Sequence, residues 1–461
     1  QPTNGKKDAS DYMQAGQSNE LAKLVQFCRK PLVTEKIVKA NVLSLEDIIK
    51  KREEGIYISA FPNLMDKIHG FRKRELVLLT APSGTGKCHG VGTKIRMADM
   101  SVKNVEDVIV GDFVMGADGS PRKVLNLSSG FGKLYRVDQV KGDSYVVNEN
   151  HLLSLKASIK FPSEGVTAGD VVNVKLSDWL CLSNWKKSML KGYKANLTNL
   201  GEGSCEDLLD SYMLGLWLAD GTASKPQITV NKADKELIDQ VYSYATYKGY
   251  TTNVCPSMDR SGSIAVDFAG GYLVQLRAWG VLNNKHIPAK FLTANYETRL
   301  ALLAGILDGD GYLNNNGFEL TLKKNELVKD LILLARSVGL AVSVADKVST
   351  WGNEGKSDVY TRLHIYGDTV KVPNRLSRKK CDVRKQVKNA LCTGVSVTQI
   401  EDGMYYGFEI DGDHLYCLED FTVTHNSTLT SIFADAFVDH GEKVGMIFLE
   451  EEIKDTVQRL I

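Results

Sequence analysis

The chain has no apolar run of about 20 residues, which excludes a helical membrane span. No secretory leader is visible in it, and its opening on Gln1 rather than Met reads as the expected mark of a fragment. Its eight cysteines include no C-x-x-C pair. That scatter argues against a zinc ribbon and against a disulfide framework, and it suits a reducing cytosol. An excess of one charge is missing too. The net charge of +1 gives no global field for nucleic acid, so any such binding must come from local patches. A hydrophobic content of 43% is enough for real cores. A length of 461 residues suggests about three domains.

One further absence is local. Residues 81–88 read A-P-S-G-T-G-K-C. A phosphate loop of the form G-x-x-x-x-G-K-[ST] cradles phosphates with backbone N–H groups, reaches them with the Lys, and ligates magnesium with the hydroxyl. Here Cys88 stands where the hydroxyl belongs, and Ala81 replaces the first Gly. The missing hydroxyl lies far downstream, where residues 423–430 read V-T-H-N-S-T-L-T. Excision of Cys88 through Asn426 joins the flanks as A-P-S-G-T-G-K-S-T-L-T, a complete loop running into a helix. Two half-motifs that heal each other, bounded by Cys and by His-Asn-Ser, point to a self-excising insert.

The character of the chain changes at these breaks. Residues 1–18 read as a polar linker, and 19–30 and 44–53 carry helical spacing of apolar residues. Glu75–Thr80 is the strand that a phosphate loop requires, and 444–449 reads as the next buried strand. Residues 88–155 show short strands with turn signals, an all-β pattern that returns over 403–426. The segment 204–390 is mixed α/β and contains two similar stretches, M-L-G-L-W-L-A-D-G at 213–221 and L-A-G-I-L-D-G-D-G at 303–311. The expected boundaries are 1–87, 88–204, 205–390, 391–426 and 427–461.

The ends of the insert resemble the inteins of the Hint fold, the yeast vacuolar ATPase type among them. The resemblance covers 88–426. It implies an all-β, horseshoe-shaped splicing domain and a set of roles. Cys88 attacks the Lys87 carbonyl, since a thiol is the best nucleophile available at neutral pH. A T-x-x-H motif in the family polarises that amide. The match here is Asn148-Glu149-Asn150-His151, so His151 would protonate the departing nitrogen, with Asn148 in the place of Thr. Ser427 takes the acyl group, Asn426 cyclises, His425 assists at its carbonyl, and His414 matches a His that activates Asn426. Splicing itself needs no cofactor.

The two repeated stretches resemble LAGLIDADG homing endonucleases. This implies an α/β domain with a pseudo-two-fold repeat, two helices packed through small residues (Gly215; Ala304 and Gly305), and Asp220 and Asp310 sharing Mg2+ at the cut. The first stretch departs from the family with Trp217-Leu218. Lysines are expected beside the metals: Lys285, in a K-x-I-P-like segment, and Lys380, with Lys379 as the adjacent alternative. Residues 371–388 hold eight basic residues and one acidic, a phosphate-contacting stretch or a solvated helix face. The implied partner is double-stranded DNA, the host gene without the insert. A degenerate endonuclease with structural helices only is the other reading.

The flanks resemble replicative helicases of the phage and Twinkle type, fragments of a RecA-like α/β ATPase. This implies a hexameric host on single-stranded DNA that is inactive before splicing. Afterwards Gly84, Gly86, Lys87 and Ser427 would hold Mg-ATP, and Glu450 would orient the attacking water. The expected setting is the cytoplasm of a bacterial or phage-infected cell. The rival expectation is an ATPase fragment with a DNA-binding insert that never leaves.

Overall fold

A computed structural model describes residues 17–27, 55–58, 62–72, 88–201, 207–256, 262–323, 325–351, 356–383, 385, 389–425, 437 and 440–441. The chain divides into two compact units, one of residues 1–78 with 439–442, the other of the remainder. In the first, α1 (Ser18–Phe27) overlaps the stretch 19–30 expected to be helical, and α2 (Pro62–Ile68) lies between the bridged residues Ile56 and Phe71. Gly55 and Gly70 meet there so closely that a Cβ on either would lie within 3 Å of the other's backbone. The expected helix at 44–53, the strands at 75–80 and 444–449, and residues 81–87 of the phosphate loop lie outside the described residues, with Asn426, Ser427 and Glu450.

The second unit begins at Cys88 with short strands. They are β1 (His89–Gly90), β2 (Lys94–Arg96), β3 (Val102–Asn104), β4 (Phe113–Met115), β5 (Pro121–Gly132), β6 (Leu134–Gln139), β7 (Tyr145–Asn148), β8 (Leu152–Ala157) and β9 (Val171–Lys175). Two short helices, α3 (Leu176–Cys181) and α4 (Asn184–Met189), lead into β10 (Leu190–Tyr193). Gly92, Gly111 and Gly119 all have positive φ, which the turns between such short strands demand and only glycine adopts freely.

The chain then leaves for a mixed α/β body. It comprises α5 (Leu208–Asp220), β11 (Gln227–Asn231), α6 (Lys235–Lys248), β12 (Thr251–Pro256), β13 (Ser263–Ala269), α7 (Tyr272–Ala278) and α8 (Ala289–Leu292). The pattern repeats as α9 (Tyr296–Asp310), β14 (Tyr312–Asn314), β15 (Gly317–Lys323), α10 (Glu326–Ser337), β16 (Ala341–Trp351) and β17 (Lys356–Tyr366). Asp207, Asn295 and Asn325 cap α5, α9 and α10 by accepting hydrogen bonds from backbone N–H groups of the first turn. Helices α5 and α9 are buried around most of their circumference, with apolar residues on every side of their middle turns. They form the centre of the largest hydrophobic core, with the sheets β11-β13-β12 and β14-β15-β17-β16 belonging one to each half.

The return begins with β18 (Cys392–Thr393) and continues through β19 (Val395–Gln399), β20 (Gly403–Ile410), β21 (Leu415–Cys417) and β22 (Val423–His425). Strand β18 pairs with β10, Gly192 opposite Thr393, so the chain re-enters the β domain beside its point of exit. Strand β1 lies inside the seven-stranded sheet β19-β6-β7-β1-β20-β5-β4, between β7 and β20. The first residues of the insert are therefore clamped by strands from both ends of it. The multidomain reading, an all-β part interrupted by an α/β part with an internal repeat, is the observed architecture.

Candidate active sites

Cys88 is fully buried where it enters β1. Its N–H donates to Asn148 Oδ1 at 3.1 Å, and the Asn148 N–H donates to the Cys88 carbonyl at 3.1 Å. Asn148, which stands where the resemblance expects Thr, thus holds the Cys88 backbone through both its N–H and its carbonyl. The Cys88 thiol lies 3.5 Å from Ser128 Oγ on β5. Burial pushes its pKa up, with the Ser128 hydrogen bond opposing, so the resting group is a thiol.

The next turn carries His151, whose N–H donates to the Asn148 carbonyl at 3.2 Å. Its Nε2 lies 3.0 Å from Thr424 Oγ1 on β22, the strand that ends at His425. His151 therefore joins the element that grips the first junction to the element that delivers the second. His89 lies behind, its ring centroid 4.9 Å from that of His151 and tilted by 59°, with Nε2 held by the Tyr416 hydroxyl at 2.8 Å. Burial lowers the pKa of His89 to about 4, so it is neutral at physiological pH.

His414 is buried just before β21 and has φ +59°, in the left-handed region. Strands β21 and β22 pair with Leu415 opposite His425, and the rings of His414 and His425 lie 6.3 Å apart. The structure thus brings Cys88, Asn148, His151, His414 and His425 into one region. Asn426 and Ser427 lie outside the described residues. Thr424, Ser128, His89 and Tyr416 escaped the sequence reading. His89 and Thr424 stand beside assigned residues in alternating strands, and that adjacency was the only signal for them.

The second site lies where α5 and α9 cross. A Cβ on Gly215 would fall 2.2 Å from the Leu302 carbonyl, and one on Gly305 would fall 2.1 Å from the Tyr212 carbonyl. Only glycine permits this approach. At the helix ends a Cβ on Gly309 would meet Ala219 Cβ at 2.4 Å and Asp220 Oδ2 at 2.9 Å. The Asp220 carboxylate therefore lies against the end of the opposite helix, next to Asp310.

Two lysines occupy equivalent places. Lys285 Nζ donates to the carbonyls of Leu218 (2.9 Å) and Ala219 (3.3 Å) at the end of α5. Lys379 Nζ donates to those of Leu307 (2.9 Å), Asp308 (2.6 Å) and Gly309 (2.9 Å) at the end of α9. Cations suit the negative end of a helix dipole. Lys380, the residue favoured from the sequence, is exposed, whereas Lys379 is 3% exposed. The adjacent alternative is the one placed at the site. A 3-10 turn at Ser377–Lys379 fixes which of the two neighbouring lysines faces inward, and composition alone carries no such phase. Burial lowers the pKa of Lys285, opposed by the fields of Asp310 and Asp220. Trp217 also gains a role, because the Lys285 ammonium sits 5.3 Å above its ring.

Among the described residues no group of three or more His, Cys, Asp or Glu could hold a metal ion. Asp220 and Asp310, one at the end of each helix, carry the hard oxygen donors that a divalent cation takes, with DNA oxygens and water completing its shell. No described helix is long and apolar enough to cross a membrane.

Two family models match the chain: a homing-endonuclease-associated Hint domain over residues 88–190 and a homing endonuclease over 286–393. The replicative DNA helicase DnaB of Mycobacterium intracellulare is 28% identical over 409 residues, 84% of this chain and 66% of that protein. The chain thus spans just under two thirds of this relative. Among solved structures, I-DmoI in complex with DNA and Mn gives a TM-score of 0.25 at 14% identity, covering 34% of this chain and 89% of that one. The gp41-1 intein gives 0.18 at 19% identity, covering 24% and 70%. The fold and the two matched domains define a self-splicing protein with a DNA-cutting enzyme nested in it. Residues 88–190 thus match the endonuclease-associated Hint family and residues 286–393 the homing endonucleases.

Proposed function

We propose that residues 88–426 excise themselves and join Lys87 to Ser427. The convergence of Asn148, gripping Cys88, with Thr424, gripping His151, carries this reading, because it unites both ends of the insert in one site. Cys88 Sγ attacks the Lys87 carbonyl carbon. The C–N bond breaks, and His151 protonates the departing nitrogen. Ser427 Oγ then displaces the thiol and carries the N-terminal segment as an ester. Asn426 Nδ2 attacks its own carbonyl, forming a succinimide and freeing the Ser427 amine. His425 donates to that carbonyl oxygen, and His414 beside it activates Asn426. A final shift from oxygen to nitrogen leaves an ordinary peptide bond.

The nested domain cuts double-stranded DNA at the host gene that lacks the insert, across the codons for Lys87 and Ser427. Asp220 and Asp310 would hold Mg2+, which supplies charge neutralisation at the scissile phosphates and an activated water. Lys285 and Lys379, rather than Lys380, hold positive charge beside these carboxylates. The host is a replicative helicase whose phosphate loop is rebuilt by splicing. Gly84, Gly86, Lys87 and Ser427 bind Mg-ATP there, Glu450 orients water, and the host works as a hexamer on single-stranded DNA.

Incubating the purified precursor and weighing its products tests the first part. An excised body of roughly 340 residues plus a ligated remainder is expected, as the Cys88–Asn426 spacing dictates. An unchanged mass under reducing conditions would refute it. For the DNA part, a plasmid with the uninterrupted loop sequence should be cut in Mg2+ and one with the interrupted gene should not. Equal resistance of both refutes the cutting role.

A further inference from the structure

A buried ion pair lies away from both sites. Lys194 Nζ contacts the Asp420 carboxylate and the Thr422 hydroxyl, the latter at 2.6 Å. Asp420 also accepts from the Thr422 N–H at 3.0 Å and from the Asp143 N–H at 2.8 Å, and Gln139 Nε2 donates to Thr422 Oγ1 at 2.8 Å. Asp420 is 2% exposed. Burying two charges is costly, and such a pair contributes little net stability against an apolar replacement. What it does fix is geometry.

The location gives that geometry meaning. Lys194 follows β10, where the chain departs for the endonuclease, and its N–H donates to the carbonyl of Leu391, where the chain returns, at 3.0 Å. Asp420 and Thr422 lie in the turn between β21 and β22. Inside that turn Phe421 has φ +65°, a left-handed conformation that a non-glycine residue holds only where its surroundings impose it. Asp420 and Lys194 hold Thr422 on one side, and the Ala195 N–H holds the Phe421 carbonyl at 2.8 Å. The turn sets the register of β22 against β21. A slip of one residue would turn every β22 side chain to the other face. Thr424 would then lose His151, and His425 would lose its place beside His414.

We propose that Lys194 and Asp420 are positioning residues for release at the C-terminal junction. They couple the seating of the endonuclease to the aim of β22. The inference rests on the splicing reading. The contacts that hold Cys88 itself come from Asn148 on β7 and Ser128 on β5, whereas the pair reaches the first junction only indirectly, through the Asp143 N–H ahead of β7 and through Thr424 on His151. The two junctions should therefore respond differently to its loss.

The test uses the full chain with Lys194→Met, Asp420→Asn and Lys194→Arg. Cleavage at Lys87–Cys88 is induced by added thiol, and cleavage at Asn426–Ser427 is followed by mass. Thermal unfolding is recorded for each variant. A misplacement of about 1 Å costs on the order of 100-fold in rate. Lys194→Met and Asp420→Asn should therefore slow C-terminal cleavage by about ten- to a hundred-fold and change thiol-induced cleavage only a few-fold. Lys194→Arg should recover most of the loss. Equal slowing at both junctions, or slowing at neither, overturns the proposal. Failure of all three variants to fold shows a structural pair only and overturns it as well. A parent chain that breaks at neither junction refutes the splicing reading itself.

Discussion

Asn148 and Cys88 hold each other twice, side-chain oxygen to amide at 3.1 Å and amide to carbonyl at 3.1 Å. The first bond acts on the nitrogen that must depart when the Lys87–Cys88 amide becomes a thioester. Asn148→Ala leaves that buried N–H without its acceptor, at a cost of about 1–3 kcal/mol. We expect thiol-induced cleavage to slow by about five- to a hundred-fold. A rate equal to the parent's would remove Asn148 from the chemistry.

The order of steps separates the two ends. Cys88→Ala should abolish thioester formation and ligation yet keep some C-terminal cleavage, because Asn426 cyclisation needs only its own carbonyl. Asn426→Ala should block C-terminal release and leave the first junction open to added thiol. Mass spectrometry of each variant decides, and normal ligated product from either would contradict the mechanism.

The two neighbouring lysines can be told apart. Lys379→Ala removes three hydrogen bonds to the end of α9, whereas Lys380→Ala alters an exposed side chain. Double-strand cleavage of the target plasmid should fall by at least about tenfold with the first. The second should leave it near the parental rate, and splicing should survive both. The reverse ranking would restore Lys380.

Acid should weaken the splicing domain through His89. In the folded state burial holds its pKa down at about 4, against an ordinary 6.5. The unfolded chain therefore takes up the proton first, and stability is lost as pH falls from 6.5 to 4. The full effect of this one group is about 3 kcal/mol. Urea unfolding of the parent and of His89→Gln across that range measures it, and identical pH slopes for the two would exclude His89 as the cause.

The sequence made the insert's ends legible because splicing chemistry demands specific atoms at fixed places. It also made the pairing of α5 with α9 legible, since Gly215 and Gly305 are needed wherever two backbones meet. What it could not give was phase. Lys379 and Lys380 are equivalent in composition, and only the turn at Ser377–Lys379 orients them. Trp217-Leu218 departs from the repeat in sequence, and only the fold puts the Trp217 ring beneath Lys285. Thr424, Ser128 and Tyr416 were illegible because each acts across the fold, on a partner distant in sequence.

The adjacency of β10 and β18 has a practical consequence for anyone who would replace the middle of this protein. Tyr193 lies opposite Cys392, which invites a graft at that pair with a short turn or a foreign cargo. Yet Ala195, Leu197 and Leu200 bury themselves among Met100, Met115, Phe421 and Val423. The departing strap is thus a structural beam of the β domain itself, and the usable suture lies beyond Leu200. A cut at Tyr193 would discard part of the frame along with the passenger.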